Sequence, residues 1–191
     1  MSTFLHIELP PGQLGRALRG DPVAQRGLYE ALARPVYTLL LRLVRRPAIA
    51  EELLHEVFLD VLGNLHAHGG GGTFAGWVRA IAVNKALAHL RSPWRATLAR
   101  GEEGLHALSG TAPPGEEWQA DLERALNALP DVARCVVWLH DVEGYTHAEI
   151  ARLYGQTTSF SKSQLARAHA TLRGLLQTAD GDSECTLASR N

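Results

Sequence analysis

The chain has 191 residues, of which 46% are hydrophobic and 20% charged, with a formal net charge of −1. This composition sustains a packed core and excludes wholesale disorder, and the near-zero charge excludes a generic polyanion binder. No stretch approaches the roughly 20 apolar residues of a membrane helix, and MSTFLHIELPPGQLGR lacks the basic-then-apolar pattern of a secretory signal.

Charge is unevenly distributed. Residues 21–95 carry nine Lys/Arg against six Asp/Glu, residues 96–151 three against ten, and residues 152–173 four against none. Positive, negative, positive along one chain points to two nucleic-acid-facing modules around an acidic segment. Cys135 lies in an apolar run and Cys185 in a polar one. They form neither a disulfide framework nor a metal motif, which fits a reducing cytoplasm.

Residues 1–20, rich in Pro and Gly, read as a flexible leader. Asp21 followed by Pro22 is a helix start, with Leu28, Leu32, Val36, Leu39, Leu40 and Leu43 at helical spacing behind it and Pro35 expected to kink or divide the segment. Pro47 opens a second helix whose inward stripe is Ala50, Leu53, Leu54, Val57, Val61 and Leu62, leaving Glu52, His55, Glu56 and Asp60 on another face. That acidic face is either solvated surface or a docking surface for a basic partner. HAHGGGGTF then reads as a mobile loop, and its His66 and His68 lack the neighbours a metal site needs. Residues 73–91 form another amphipathic helix, in which Trp77 sits among Arg79, Asn84, Lys85 and Arg91. Aromatics beside cations suit single-stranded nucleic acid, and are equally at home in a core.

Periodicity breaks over 96–118, the expected linker. A second set of helices starts near Asp121, with Leu122, Ala125, Leu126 and Leu129, then Val132 to Leu139. The stretch 144–173 reads as a helix-turn-helix. Thr146 and Glu149 form a capping box, Gly155 supplies the helix stop, and Leu165, Ala168, Leu172 and Leu176 mark the buried side of a second helix bearing Lys162, Arg167 and Arg173. Residues 178–191 read as a polar tail. The expected fold is all-α, with two small helical domains, 21–95 and 119–177, joined by a flexible linker.

The order of these parts resembles an extracytoplasmic-function, or group IV, sigma factor of the sigma-70 family. AEELLHEVFLDVL (50–62) resembles the polymerase-docking helix, and TFAGWVRAIAVNKALAHLR (73–91) the helix that reads the promoter −10 element. ALNALPDVARCVVWLHDVEGYTHAEIARLYG (125–155) resembles the start of the second domain, and the spacing from Gly155 to Arg173 its −35 recognition helix. The resemblance implies polymerase contacts at Glu52, His55, Glu56 and Phe58, and −10 contacts at Trp77, Arg79, Asn84, Lys85 and Arg91. It implies −35 contacts at Ser159, Lys162, Ser163, Gln164 and Arg167, and a base-capture role for the loop 66–73. Implied partners are core RNA polymerase (the clamp helices of its largest subunit and the flap of the second-largest), promoter DNA and an anti-sigma factor. No cofactor, metal or catalysis by the chain itself is implied, and the place of action is cytoplasmic.

Some positions depart from the family pattern. His55 replaces a usual Gln, and Ala88 a common Asp. Ser159-Phe160-Ser161 replaces a common Gly-Thr-Val, which puts Ser161 where an apolar side chain is expected. A buried Ser161 hydroxyl without a partner would cost about 1–3 kcal/mol. Two other readings stay open: a stand-alone helix-turn-helix regulator, and a metal-dependent helical enzyme using His55, His66, His68 and His89.

Overall fold

A computed structural model describes residue 4 and residues 7–69, 71–92 and 117–188. The chain divides into two compact units, 1–103 and 104–191. The described residues form helices, short turns and connections, with no strand among them. Most of the expected linker, 96–116, lies outside the described residues; Glu117 and Trp118 already belong to a helix.

In the first unit, α1 (Gln13–Leu18) precedes three long helices, α2 (Pro22–Val44), α3 (Pro47–Gly63) and α4 (Phe74–Arg91). The leader is therefore more ordered than its Pro and Gly content implied. Gln13 and Ala17 are buried, and the Gln13 amide donates to the Ala24 carbonyl oxygen at 3.3 Å. Gly27 makes this approach possible: a Cβ there would come within 2.3 Å of Gln13 Nε2.

Asp21 caps α2, its Oδ1 accepting from the Val23 and Ala24 N–H groups at 2.9 and 3.3 Å. The helix then runs unbroken through Pro35 instead of dividing there. Pro35 removes one backbone donor, but Leu32 and Val36 on either side are fully buried, so packing along this face holds the helix together. Arg45, at φ 60°, turns the chain into α3. Thr73 caps α4 by accepting from the Gly76 N–H at 3.1 Å.

The second unit contains α5 (Glu117–Ala128), α6 (Asp131–Val137), α7 (His147–Tyr154) and α8 (Thr158–Ala188). One turn of π-helix, Trp138–Val142, continues α6, and the Glu143 N–H reaches back to the Trp138 carbonyl oxygen at 3.0 Å. Its core includes Ala125, Leu129, Cys135, Val136, Leu139, Ile150, Leu165 and Ala168. The capping box is present: the Thr146 N–H donates to Glu149 Oε2 at 2.8 Å and the Glu149 N–H to Thr146 Oγ1 at 3.3 Å. Gly155 ends α7 at φ 62°, as a left-handed cap requires. The backbone of α8 stays helical into the stretch expected to be a tail, as far as Ala188.

Candidate nucleic-acid interface

Three surfaces carry the candidate residues. The first is the outer face of α3. Glu52, His55 and Glu56 are exposed there, and His55 Nδ1 donates to the Glu51 carbonyl oxygen at 2.8 Å. A carbonyl only accepts, so this contact places a hydrogen on Nδ1. Phe58 does not join them. It is 4% exposed and packs edge-on against Tyr29, ring centroids 4.6 Å apart. The reason is periodicity: position 58 follows Leu54 by four residues, on the buried stripe. The apolar side chain that does stand among the carboxylates is Leu59, 74% exposed.

The second surface is α4. Trp77, Asn84 and Arg91, seven residues apart, share one stripe, along which Asn84 and Arg91 are exposed and Trp77 half-buried. Asn84 Nδ2 donates to the Ala80 carbonyl oxygen at 2.9 Å. Arg79 lies on the other side of the helix and is half-buried. Lys85 turns toward α3, where its Nζ lies 2.8 Å from Asp60 Oδ2 and 3.2 Å from Glu56 Oε2. Burial alone would lower its pKa, but the hydrogen bonds and charges of Asp60 and Glu56 outweigh that and raise it. At the start of α4 the His68 ring closes on Phe74 and Trp77, with centroid distances of 5.5 and 5.7 Å. The exposed glycines 69, 71 and 72 follow His68 in the same loop.

The third surface is the first half of α8. Thr157 caps it, its Oγ1 accepting from the Phe160 N–H at 3.3 Å. Ser161, Leu165 and Ala168 are buried, which turns Ser159, Lys162, Ser163 and Arg167 outward, with Gln164 half-buried. Ser163 Oγ also donates to the Phe160 carbonyl oxygen at 2.9 Å. Phe160 leans on Tyr154, ring centroids 5.7 Å apart. The buried Ser161 hydroxyl has its partner in His147 Nδ1, at 3.0 Å.

Sequence reasoning missed Leu59, Thr157 and a polar corner made by His140, Asp141, His147 and His169. Thr157 was legible as a capping residue, and Leu59 as a position at helical spacing from Glu52, His55 and Glu56; the corner residues meet only through the fold. Among the described residues no group of three or more His, Cys, Asp or Glu is placed to hold a metal ion, so the metal-enzyme reading gains nothing here. No described helix is long and apolar enough to cross a membrane.

A helical module with an acidic outer face is thus followed by a helix-turn-helix whose second helix is basic. The comparisons with known proteins make the class specific. Residues 28–96 match the model for sigma-70 region 2, and residues 119–172 that for sigma-70 region 4. The ECF RNA polymerase sigma factor SigM of Mycobacterium tuberculosis is 32% identical over 165 residues, covering 83% of this chain and 82% of that protein. The probable RNA polymerase sigma factor RfaY of Xanthomonas campestris pv. campestris is 30% identical over 190 residues, covering 94% of this chain and 46% of that protein. The chain thus spans about half the length of one of these relatives. The sigma factor RpoE from Bartonella quintana, solved in complex with the anti-sigma factor NepR, shares the fold at a TM-score of 0.57 and 20% identity, over 80% of this chain and 96% of that one. The chain belongs to the extracytoplasmic-function sigma factors of the sigma-70 family.

Proposed function

We propose that the chain is an alternative sigma factor that binds core RNA polymerase and directs it to promoters through their −10 and −35 elements. The observation that carries this reading is the pairing, in one chain, of an exposed carboxylate face on α3 with exposed Lys162, Ser163 and Arg167 on a recognition helix capped by Thr157. In this reading α3 docks through Glu52, His55, Glu56 and Leu59 on the clamp helices of the largest polymerase subunit, and the second unit meets the flap of the second-largest. The stripe Trp77, Asn84 and Arg91 faces the −10 strand, where rings stack on bases and cations meet phosphates. The loop after His68 receives a flipped base, whose loss of stacking nucleates melting. In the second unit, α8 enters the major groove at −35, Lys162 and Arg167 providing charge and Ser163 and Gln164 hydrogen bonds to base edges, with Ser159 near the helix start placed for a phosphate.

The chain performs no bond-making step, which belongs to the polymerase. It acts in the cytoplasm and is held in check by an anti-sigma factor that covers the polymerase-binding face; RpoE in complex with NepR is the structural relative that supports this.

The test mixes purified chain with sigma-free core polymerase, follows co-elution, and runs transcription on a library of genomic fragments. Stable co-elution with fragment-specific transcripts is expected. Tight sequence-specific binding of the free chain to duplex DNA, with no polymerase co-elution, would overturn the reading in favour of a stand-alone regulator.

A further inference from the structure

The recognition helix α8 is tied at two points, to the first residue of α7 and to the corner that precedes it, and both ties are polar. Ser161, fully buried, meets His147 Nδ1 at 3.0 Å. His169, two turns further along α8, holds Asp141 Oδ2 with its Nε2 at 2.6 Å. His140 joins the two ties. Its Nδ1 lies 2.8 Å from Asp141 Oδ1, and its ring stacks on that of His147, centroids 4.5 Å apart and 21° from parallel. The result is a continuous chain, Ser161–His147–His140–Asp141–His169, which leaves α8 and returns to it.

This corner joins α8 to its neighbours through polar side chains, three of them imidazoles that can change charge. Stacked imidazoles tolerate one positive charge, particularly beside Asp141, but a second proton sets two like charges face to face. The charged groups acting on His147 are His140 and Asp141 from the preceding corner and Lys162 from α8 itself, and only Asp141 favours its protonation. On its own helix Glu149 is engaged by the Thr146 cap. The pKa of His147 is accordingly lowered, by burial first and then by His140 and Lys162, against the smaller opposing pull of Asp141.

We propose that His147 is a positioning residue which, with Asp141, fixes how α8 is presented, and that protonation of the stacked His140–His147 pair loosens this clamp in mild acid. The consequence for promoter reading rests on the sigma-factor function proposed above; the clamp itself does not.

Hydrogen exchange of the full chain, without polymerase or DNA, reads the clamp directly. Between about pH 7.5 and about pH 5.5, corrected for intrinsic exchange chemistry, peptides covering 158–169 are expected to open about tenfold more often, while α2–α4 peptides hold steady. Two variants should flatten that response. H147N offers a non-titrating amide near the place of Nδ1, and H140F keeps a stacked ring without a charge. Should H147N fail to fold at neutral pH, H140F carries the test alone. The proposal is overturned by wild-type protection that ignores pH, or by acid opening that is the same in wild type and the folded variants. Promoter-directed transcription, measured in parallel, tests the sigma-factor reading alone: its absence leaves the exchange result standing, and a flat exchange profile leaves transcription standing.

Discussion

Lys85 Nζ sits 2.8 Å from Asp60 Oδ2, binding α4 to α3 with a cation expected to face DNA. Glu56 shares that cation at 3.2 Å, so one of the carboxylates assigned to polymerase docking is also internal structure. Reversing charge at Glu52 and at Glu56 should therefore have different results. Glu52→Lys is expected to shift stability by less than about 0.5 kcal/mol while weakening polymerase binding about tenfold. Glu56→Lys should lose binding similarly and also cost about 1 kcal/mol of stability, because it places a second cation beside Lys85. Urea unfolding and polymerase co-elution of the two variants separate the effects.

The Lys85 contribution has a defined pH window. Its folded pKa lies above the ordinary 10.5, so the stabilisation is fully present below 10.5 and is lost as pH rises through the raised value. Lys85→Met should cost about 1 kcal/mol at neutral pH, the upper range for a pair whose carboxylates are half-exposed. The difference from wild type should vanish in strongly alkaline urea titrations.

Phe58 and Leu59 offer a second contrast. Phe58→Ala should cost about 3–5 kcal/mol, as aromatic truncation in a core does. Leu59→Ser should leave stability within about 0.5 kcal/mol. If Leu59 anchors the docking face, the Ser variant should bind core polymerase about tenfold more weakly, a change of about 1.4 kcal/mol. Unchanged co-elution would remove Leu59 from that face.

On single-stranded −10 DNA bound by the polymerase complex, Arg91→Ala should reduce the slope of log affinity against log salt by about 0.7, one phosphate contact. Lys85→Met should leave that slope nearly unchanged, since its charge is already engaged by Glu56 and Asp60. Equal slope changes in both variants would mean that Lys85 leaves α3 for DNA in the complex.

Acid should destabilise the second unit in two stages. His147 is held below its ordinary 6.5, so the unfolded chain takes up that proton first, and stability present above 6.5 falls as pH drops toward the lowered value. Asp141 is held below its ordinary 3.8; burial pushes it up, but hydrogen bonds from His140 and His169 and their charges prevail. Its contribution is present above 3.8 and is lost as pH falls through the lowered value. Asp141→Asn should cost about 1 kcal/mol at neutral pH, a figure kept small by its exposure, and should erase the later stage in acid titrations followed by circular dichroism.

Local signals were legible and long-range ones were not. Asp21 with Pro22, Thr146 with Glu149, and Gly155 each announce a helix boundary through neighbours within a turn, and each boundary stands where they place it. Phe58 was assigned to the docking face by family likeness, although the spacing Leu54, Val57, Phe58, Val61 already marks one buried stripe. The partner of Lys85 was beyond reach because Glu56 lies 29 residues away. The His169–Asp141 contact, 28 residues apart, is likewise a product of tertiary packing. Ser161 falls between these cases. Its need for a partner could be stated from the pattern of buried positions, but His147 as that partner, 14 residues earlier, could not.

The π turn at Trp138–Val142 gives the acid-sensitive corner a dependence on chain length as well as on chemistry. A π turn closes its hydrogen bond one residue later than an α turn, so it behaves as a single-residue insertion in a helix. Deleting one residue there would restore α geometry and rotate one side of the deletion by about 100° relative to the other. His140 could then no longer stack on His147 while Asp141 reaches His169, although every residue type in the corner could be retained. Relatives one residue shorter at this turn should therefore lack the corner even where they keep its histidines, and a family-wide search for it should match spacing before identity.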